Sequence, residues 1–125
     1  MAKNLLLVAI GGAAGSVLRY LTSVFADKLF GTAFPWATLI ANMAGCFLIG
    51  FAMGEFQKHN LLESNLKYLF ATGFCGGYTT FSAFAFENVT LVQQSSPGVA
   101  LVYIATSVLA GLASAWLGIV VSGMV

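Results

Sequence analysis

Only nine formal charges, five Lys or Arg and four Asp or Glu, punctuate this 125-residue chain, and long apolar stretches separate them. A soluble domain carries about 25% charged residues, whereas this chain carries 7% against 59% apolar. So few charges cannot cover a water-facing globule of this size, which excludes an ordinary cytosolic enzyme, a disordered segment and a disulfide-stapled secreted domain. A net charge of +1 leaves no basic stripe for nucleic acid. The sequence is that of an all-α integral membrane protein.

A bilayer span needs about 20 residues with few charges. Residues 4–26 make the first span, with Arg19 its one charge, and Asp27 and Lys28 close it. Residues 35–54 make the second, with Pro35 at the start, where its missing N–H costs least. A polar loop follows, carrying Glu55, Lys58, His59 and Glu63. Residues 66–92 form a third, irregular span, and residues 98–121 a fourth. Four spans with short loops account for nearly the whole chain, so a single membrane domain over residues 1–125 is expected. Lys3 and the apolar run after it imitate a signal peptide, but apolarity to Phe25 is too long for an h-region, so no cleavage is expected. Cys46 and Cys75 lie in spans without CxxC spacing and read as small buried hydrophobes.

With the N-terminus on one side, that side holds Lys3, Lys58 and Lys67 and the other Arg19 and Lys28, a difference of 3 − 2 = 1. Such a bias barely specifies orientation under the positive-inside rule. Insertion in both directions, with opposite copies pairing as an antiparallel homodimer, is the reading adopted over a fixed orientation with a weak signal.

Polar groups and glycines at membrane depth need a reason. Gly11 and Gly15 form a GxxxG pair and read as a helix-packing seam. Arg19 follows on the same face and must snorkel to an interface or attract anions at a vestibule. Thr38, Asn42, Gly45 and Ile49 share one stripe of the second span. Asn42, unpartnered, would cost about 1–3 kcal/mol; it serves either as interhelical glue or as a donor replacing water around an anion. The segment Gly73-Phe74-Cys75-Gly76-Gly77-Tyr78-Thr79-Thr80 is a poor helix sequence and predicts a break near residues 73–80. Unwound backbone at that depth frees carbonyl oxygens, which are hard ligands for a small cation, and Thr79, Thr80 and Ser82 add hydroxyls. Phe81 and Phe84 share a face, and their electropositive ring edges suit an anion. In the fourth span Tyr103, Ser107, Gly111 and Ser114 align as either a packing stripe or a hydroxyl track. Glu87 faces the rim or is buried against polar groups, and the sequence does not decide between them.

Three motifs, Gly12-Ala13-Ala14-Gly15-Ser16-Val17-Leu18-Arg19-Tyr20, Thr38-Leu39-Ile40-Ala41-Asn42-Met43-Ala44-Gly45 and Gly73 through Phe84, occur in order within this short chain. Together they make the sequence resemble the Fluc (CrcB) fluoride channels of bacteria across essentially all four spans. The resemblance implies four transmembrane helices with the third broken, in an antiparallel, dual-topology homodimer of the bacterial inner membrane, surrounded by lipid. It implies passive export of fluoride through two pores, and hence relief of fluoride toxicity. It also implies a structural sodium ion at the dimer interface, held by backbone carbonyls of Gly76 and Thr79. Asn42, Phe81 and Phe84 match the family's pore residues, and Arg19 its vestibule arginine; Thr38, Thr80, Ser82, Tyr103 and Ser107 complete the expected fluoride pathway. Ala83 departs from the family's motif, which often has a hydroxyl residue there.

Two other functions compete. A small multidrug exporter needs a membrane carboxylate in its first helix, where this chain has Arg19 and no acid. A non-transporting scaffold has no need of Asn42 or of a broken third segment. Enzymatic chemistry is disfavoured, since no nucleophile–base pair is present and His59 lies in a loop.

Overall fold

The computed structural model describes residues 1–124 and is entirely helical. Helix α1 covers Ala2–Phe30, α2 covers Trp36–Lys58 and α5 covers Pro97–Ser122, and these three are long and apolar enough to cross a membrane. At about 1.5 Å per residue each exceeds the roughly 30 Å hydrocarbon core. Between α2 and α5 lie a π-helical stretch, Tyr68–Cys75, a single turn α3, Gly76–Tyr78, and helix α4, Phe81–Gln93. Asp27 and Lys28 do not end α1, which continues to Phe30. Gly31, at φ 74°, stops it, and its N–H donates to the Asp27 carbonyl at 3.0 Å.

Two glycine seams hold the helices together, because apolar surface gains nothing by leaving lipid and close backbone approach must do the work. Gly11 and Gly15 of α1 are buried against the third segment. A Cβ on Gly11 would stand 2.8 Å from the Phe74 nitrogen, and one on Gly15 2.8 Å from the Tyr78 nitrogen. From the other side, a Cβ on Gly77 would meet the Gly12 carbonyl oxygen at 2.5 Å. The second seam joins α2 to α5, where a Cβ on Gly118 would stand 2.7 Å from the Phe51 nitrogen. Gly50 and Gly54 face Ala115 and Ser122 across it. The outward faces stay apolar: Leu5, Phe25, Leu101, Leu109 and Trp116 are all exposed. With hydrophobic side chains pointing outward from three long helices, this is a multi-pass membrane protein.

The helix geometry of residues 68–93 differs in detail from the sequence reading. Gly73, Gly76 and Gly77 all remain helical. The backbone leaves the helix two residues after Gly77, at Thr79 (φ −83°, ψ 157°) and Thr80 (φ −151°, ψ 124°). Glycine here serves close approach to α1, while the β-branched threonines take the extended conformation that suits them. The Thr80 hydroxyl then accepts the Ala83 N–H at 3.1 Å, capping α4. The two halves lean on different neighbours: Tyr68–Tyr78 packs on α1, and α4 packs on α5.

Candidate functional site

Asn42 of α2 is stapled to the non-helical Thr79–Thr80 step by a reciprocal pair of bonds. Its Nδ2 donates to the Thr80 carbonyl at 3.0 Å, and its Oδ1 accepts the Thr80 N–H at 2.7 Å. Both backbone groups that an unwound residue would leave bare are therefore satisfied by one side chain. An amide nitrogen carries two N–H groups, and the second makes no hydrogen bond among the described residues.

Arg19 also finds a partner at this step. Its Nε donates to the Gly77 carbonyl at 3.1 Å, a backbone partner that the sequence reading did not specify. One turn along α1, the Thr22 and Tyr78 hydroxyls are bonded at 2.9 Å. Helix α1 thus grips the two residues just before the backbone unwinds. Cys75 accepts both the backbone N–H and the hydroxyl of Thr79, at 3.0 and 2.8 Å. The carbonyls of Gly76 and Thr79 receive no hydrogen bond among the described residues.

Two adjoining cavities flank the step. The first, of about 640 Å³, is lined by Ser16, Arg19, Ser23, Asp27, Thr38, Thr80 and Glu87 among others. Its lining is mixed in charge, and Thr38 ties down one acid by donating to Glu87 Oε1 at 2.6 Å. The second, of about 500 Å³, is a groove lined by Asn42, Thr79, Thr80, Phe81, Phe84 and Ser107 among others. Thr80 lines both cavities. The Phe81 and Phe84 rings are tilted by 46° with centroids 5.7 Å apart. Phe81 is 78% exposed, whereas Phe84 is braced edge-on against Tyr103 at 5.1 Å.

Of the residues expected on the pathway, Asn42, Thr80, Phe81, Phe84 and Ser107 are gathered in the groove. Thr38 lines the first cavity with Arg19. Tyr103 is fully buried behind Phe84 and Phe34 and lines neither cavity. Ser82 is exposed outside both, its hydroxyl 3.2 Å from that of Thr80. Among the described residues the buried Tyr103 and Ser107 hydroxyls find no hydrogen-bond partner. Gly76 lines the groove beside Thr79.

Sequence reasoning did not bring Asp27 and Ser23 to the first cavity with Arg19. The signal was present: Arg19, Ser23 and Asp27 recur at i, i+4 and i+8, on one face of α1. It also missed the proximity of the two thiols, since Cys46 and Cys75 line the same groove.

The chain matches the family described as "CrcB-like protein, Camphor Resistance (CrcB)" over residues 6–119. It is 46% identical over 120 residues to a protein of Flavobacterium psychrophilum named fluoride-specific ion channel FluC, covering 96% of this chain and 97% of that protein. A protein of the same name from Azobacteroides pseudotrichonymphae is 41% identical over 122 residues, covering 98% of each chain. One from Rhizobium etli is 45% identical over 117 residues, covering 93% of each. With that match running through both glycine seams and the threonine step, the chain belongs to the CrcB-like protein family.

Proposed function

We propose that this protein is a fluoride channel, not an enzyme, conducting the ion passively out of the cell through the groove at the threonine step. The observation that carries the reading is that Thr80 lines both an Arg19-bearing cavity and a groove bearing Asn42 and the two phenylalanines. Relatives named as fluoride-specific channels over nearly the whole chain support it. Fluoride is small and strongly hydrated, so a pathway must replace its water with compact donors. The free N–H of Asn42, the Thr80 and Ser107 hydroxyls and the positive ring edges of Phe81 and Phe84 are such groups. Thr38, Ser82 and Tyr103 extend the same polar set toward either end.

The functional unit is an antiparallel homodimer of oppositely inserted copies, with two pathways, in the inner membrane of a bacterium and surrounded by its lipid. One copy leaves the groove open and the Phe81 ring bare, which is consistent with a second copy completing the wall. The third membrane-crossing segment is then the broken one, with residues 68–78 and Phe81–Gln93 as its halves.

The family's structural sodium ion fits the donors available. The carbonyls of Gly76 and Thr79 are hard oxygen ligands free of other hydrogen bonds, and a Cβ on Gly76 would meet only one atom, at 3.9 Å. Gly76 and Thr79 would hold the ion, together with the same atoms of the partner, and it would neutralise carbonyl dipoles converging at the interface.

The test is efflux from liposomes loaded with fluoride or chloride, read with ion-selective electrodes. Fast fluoride release that depends only on a charge-balancing ionophore, with little chloride release, is the expected result. Well-folded protein that releases no fluoride under these conditions contradicts the reading.

A further inference from the structure

The carbonyls assigned above to sodium lie at the end of a helix that has run out of backbone donors, so contacts from other helices bear on their direction. In a regular helix each carbonyl is oriented by the N–H four residues on. Here Thr80 gives its N–H to Asn42, and the carbonyls of Gly76 and Thr79 are left without a donor. Between these two sits Gly77, a residue with wide conformational freedom, and the Arg19 Nε–H is the donor on its carbonyl. The Gly77 peptide is pressed against Gly12 of the same helix that carries Arg19. The guanidinium is a rigid fork whose position follows α1.

We infer that Arg19 is a positioning residue for the cation site: by holding the Gly77 carbonyl it sets the direction of the adjoining Gly76 carbonyl and raises the site's affinity for sodium, while the Asn42 bond to the Thr80 N–H fixes the planar peptide that carries the Thr79 carbonyl. This rests on the sodium reading given above. The sign of the effect distinguishes it from plain electrostatics. A positive charge near a cation site repels the cation, so if charge alone mattered, removing Arg19 would tighten sodium binding. If Arg19 orients the Gly76 carbonyl, removing it loosens sodium, by about tenfold for a coupling of ordinary size.

The experiment is a sodium titration of the thermal unfolding midpoint of the purified protein in detergent, at constant ionic strength with N-methylglucamine as the replacement cation. Wild type should be stabilised by sodium with a defined half-saturation concentration. Arg19→Ala should raise that concentration about tenfold. Arg19→Lys keeps the charge without the fork and should raise it in the same direction; a wild-type titration in this variant overturns the inference. Thr22→Val loosens the neighbouring α1 contact without touching Gly77 and should titrate as wild type; an equal shift there means generic loosening and also overturns it. An unchanged or lowered half-saturation in Arg19→Ala, with wild type responsive, refutes the Arg19 role alone. A wild type indifferent to sodium overturns the inference by removing the sodium site on which it rests.

Discussion

Replacing Asn42 with Ala removes both bonds of the staple at Thr80, the 3.0 Å donation to its carbonyl and the 2.7 Å acceptance from its N–H. Thr80 has no helical neighbour to compensate, because its backbone is extended. Interhelical hydrogen bonds in membranes average about 0.6 kcal/mol each, which gives about 1.2 kcal/mol for an average pair. A buried group left unsatisfied costs about 1–3 kcal/mol, so the expected loss is about 1–4 kcal/mol once partial access to water at the groove is allowed for. Asn42→Asp is the sharper variant. A carboxylate still accepts from the Thr80 N–H but cannot donate to the Thr80 carbonyl, so two oxygens would face each other there. It should be at least as destabilised as the Ala variant, and should also reduce fluoride flux by repulsion in the groove. Thermal unfolding in detergent followed by circular dichroism reads the first effect, and amide exchange at Thr80 localises it. Both variants unfolding within about 0.5 kcal/mol of wild type, with Thr80 exchange unaltered, would refute the staple as an energetic feature.

Phe81→Ile and Phe84→Ile keep apolar bulk and remove ring edges, so each should slow fluoride efflux while size-exclusion chromatography still shows the assembled protein; wild-type efflux in both reduces the pair to packing. Gly77→Ala places a Cβ 2.5 Å from the Gly12 carbonyl oxygen and should lower the yield of folded protein or its unfolding midpoint markedly. Gly98→Ala is its control: nothing lies within 4 Å of the added Cβ, and higher helix propensity should leave stability equal or raised by up to about 1 kcal/mol. Equal losses in the two variants would show that the seam is not what makes Gly77 necessary.

The long helices were legible because a membrane span is written in one-dimensional composition: charges at the ends, apolar residues between. Helix α2 begins one residue and ends four residues away from the expected 35–54, and α5 differs from 98–121 by one residue at each end. The interruption near Thr79 was legible from local chemistry, but its register was not. Glycine's low helix propensity points to a break, whereas its lack of a side chain, which admits α1 to 2.5 Å of a Gly77 Cβ position, decides the packing. Arg19's partner was illegible for a different reason. Residues 58 apart in sequence meet through an α1 face that carries Gly11, Gly15 and Arg19 together, and nothing in the sequence says which carbonyl will be free. The Thr38–Glu87 bond is likewise a product of tertiary placement, joining α2 to α4 across 49 positions. The π-helical stretch Tyr68–Cys75 has no composition signal of its own.

The most direct measurement is the reversal potential of current through the purified protein in a planar bilayer with a fluoride gradient and balanced chloride. Passive fluoride-selective conduction predicts reversal at the fluoride equilibrium potential, unchanged when proton gradients of either sign are imposed. Reversal at zero voltage, or a potential that follows the proton gradient, would contradict it.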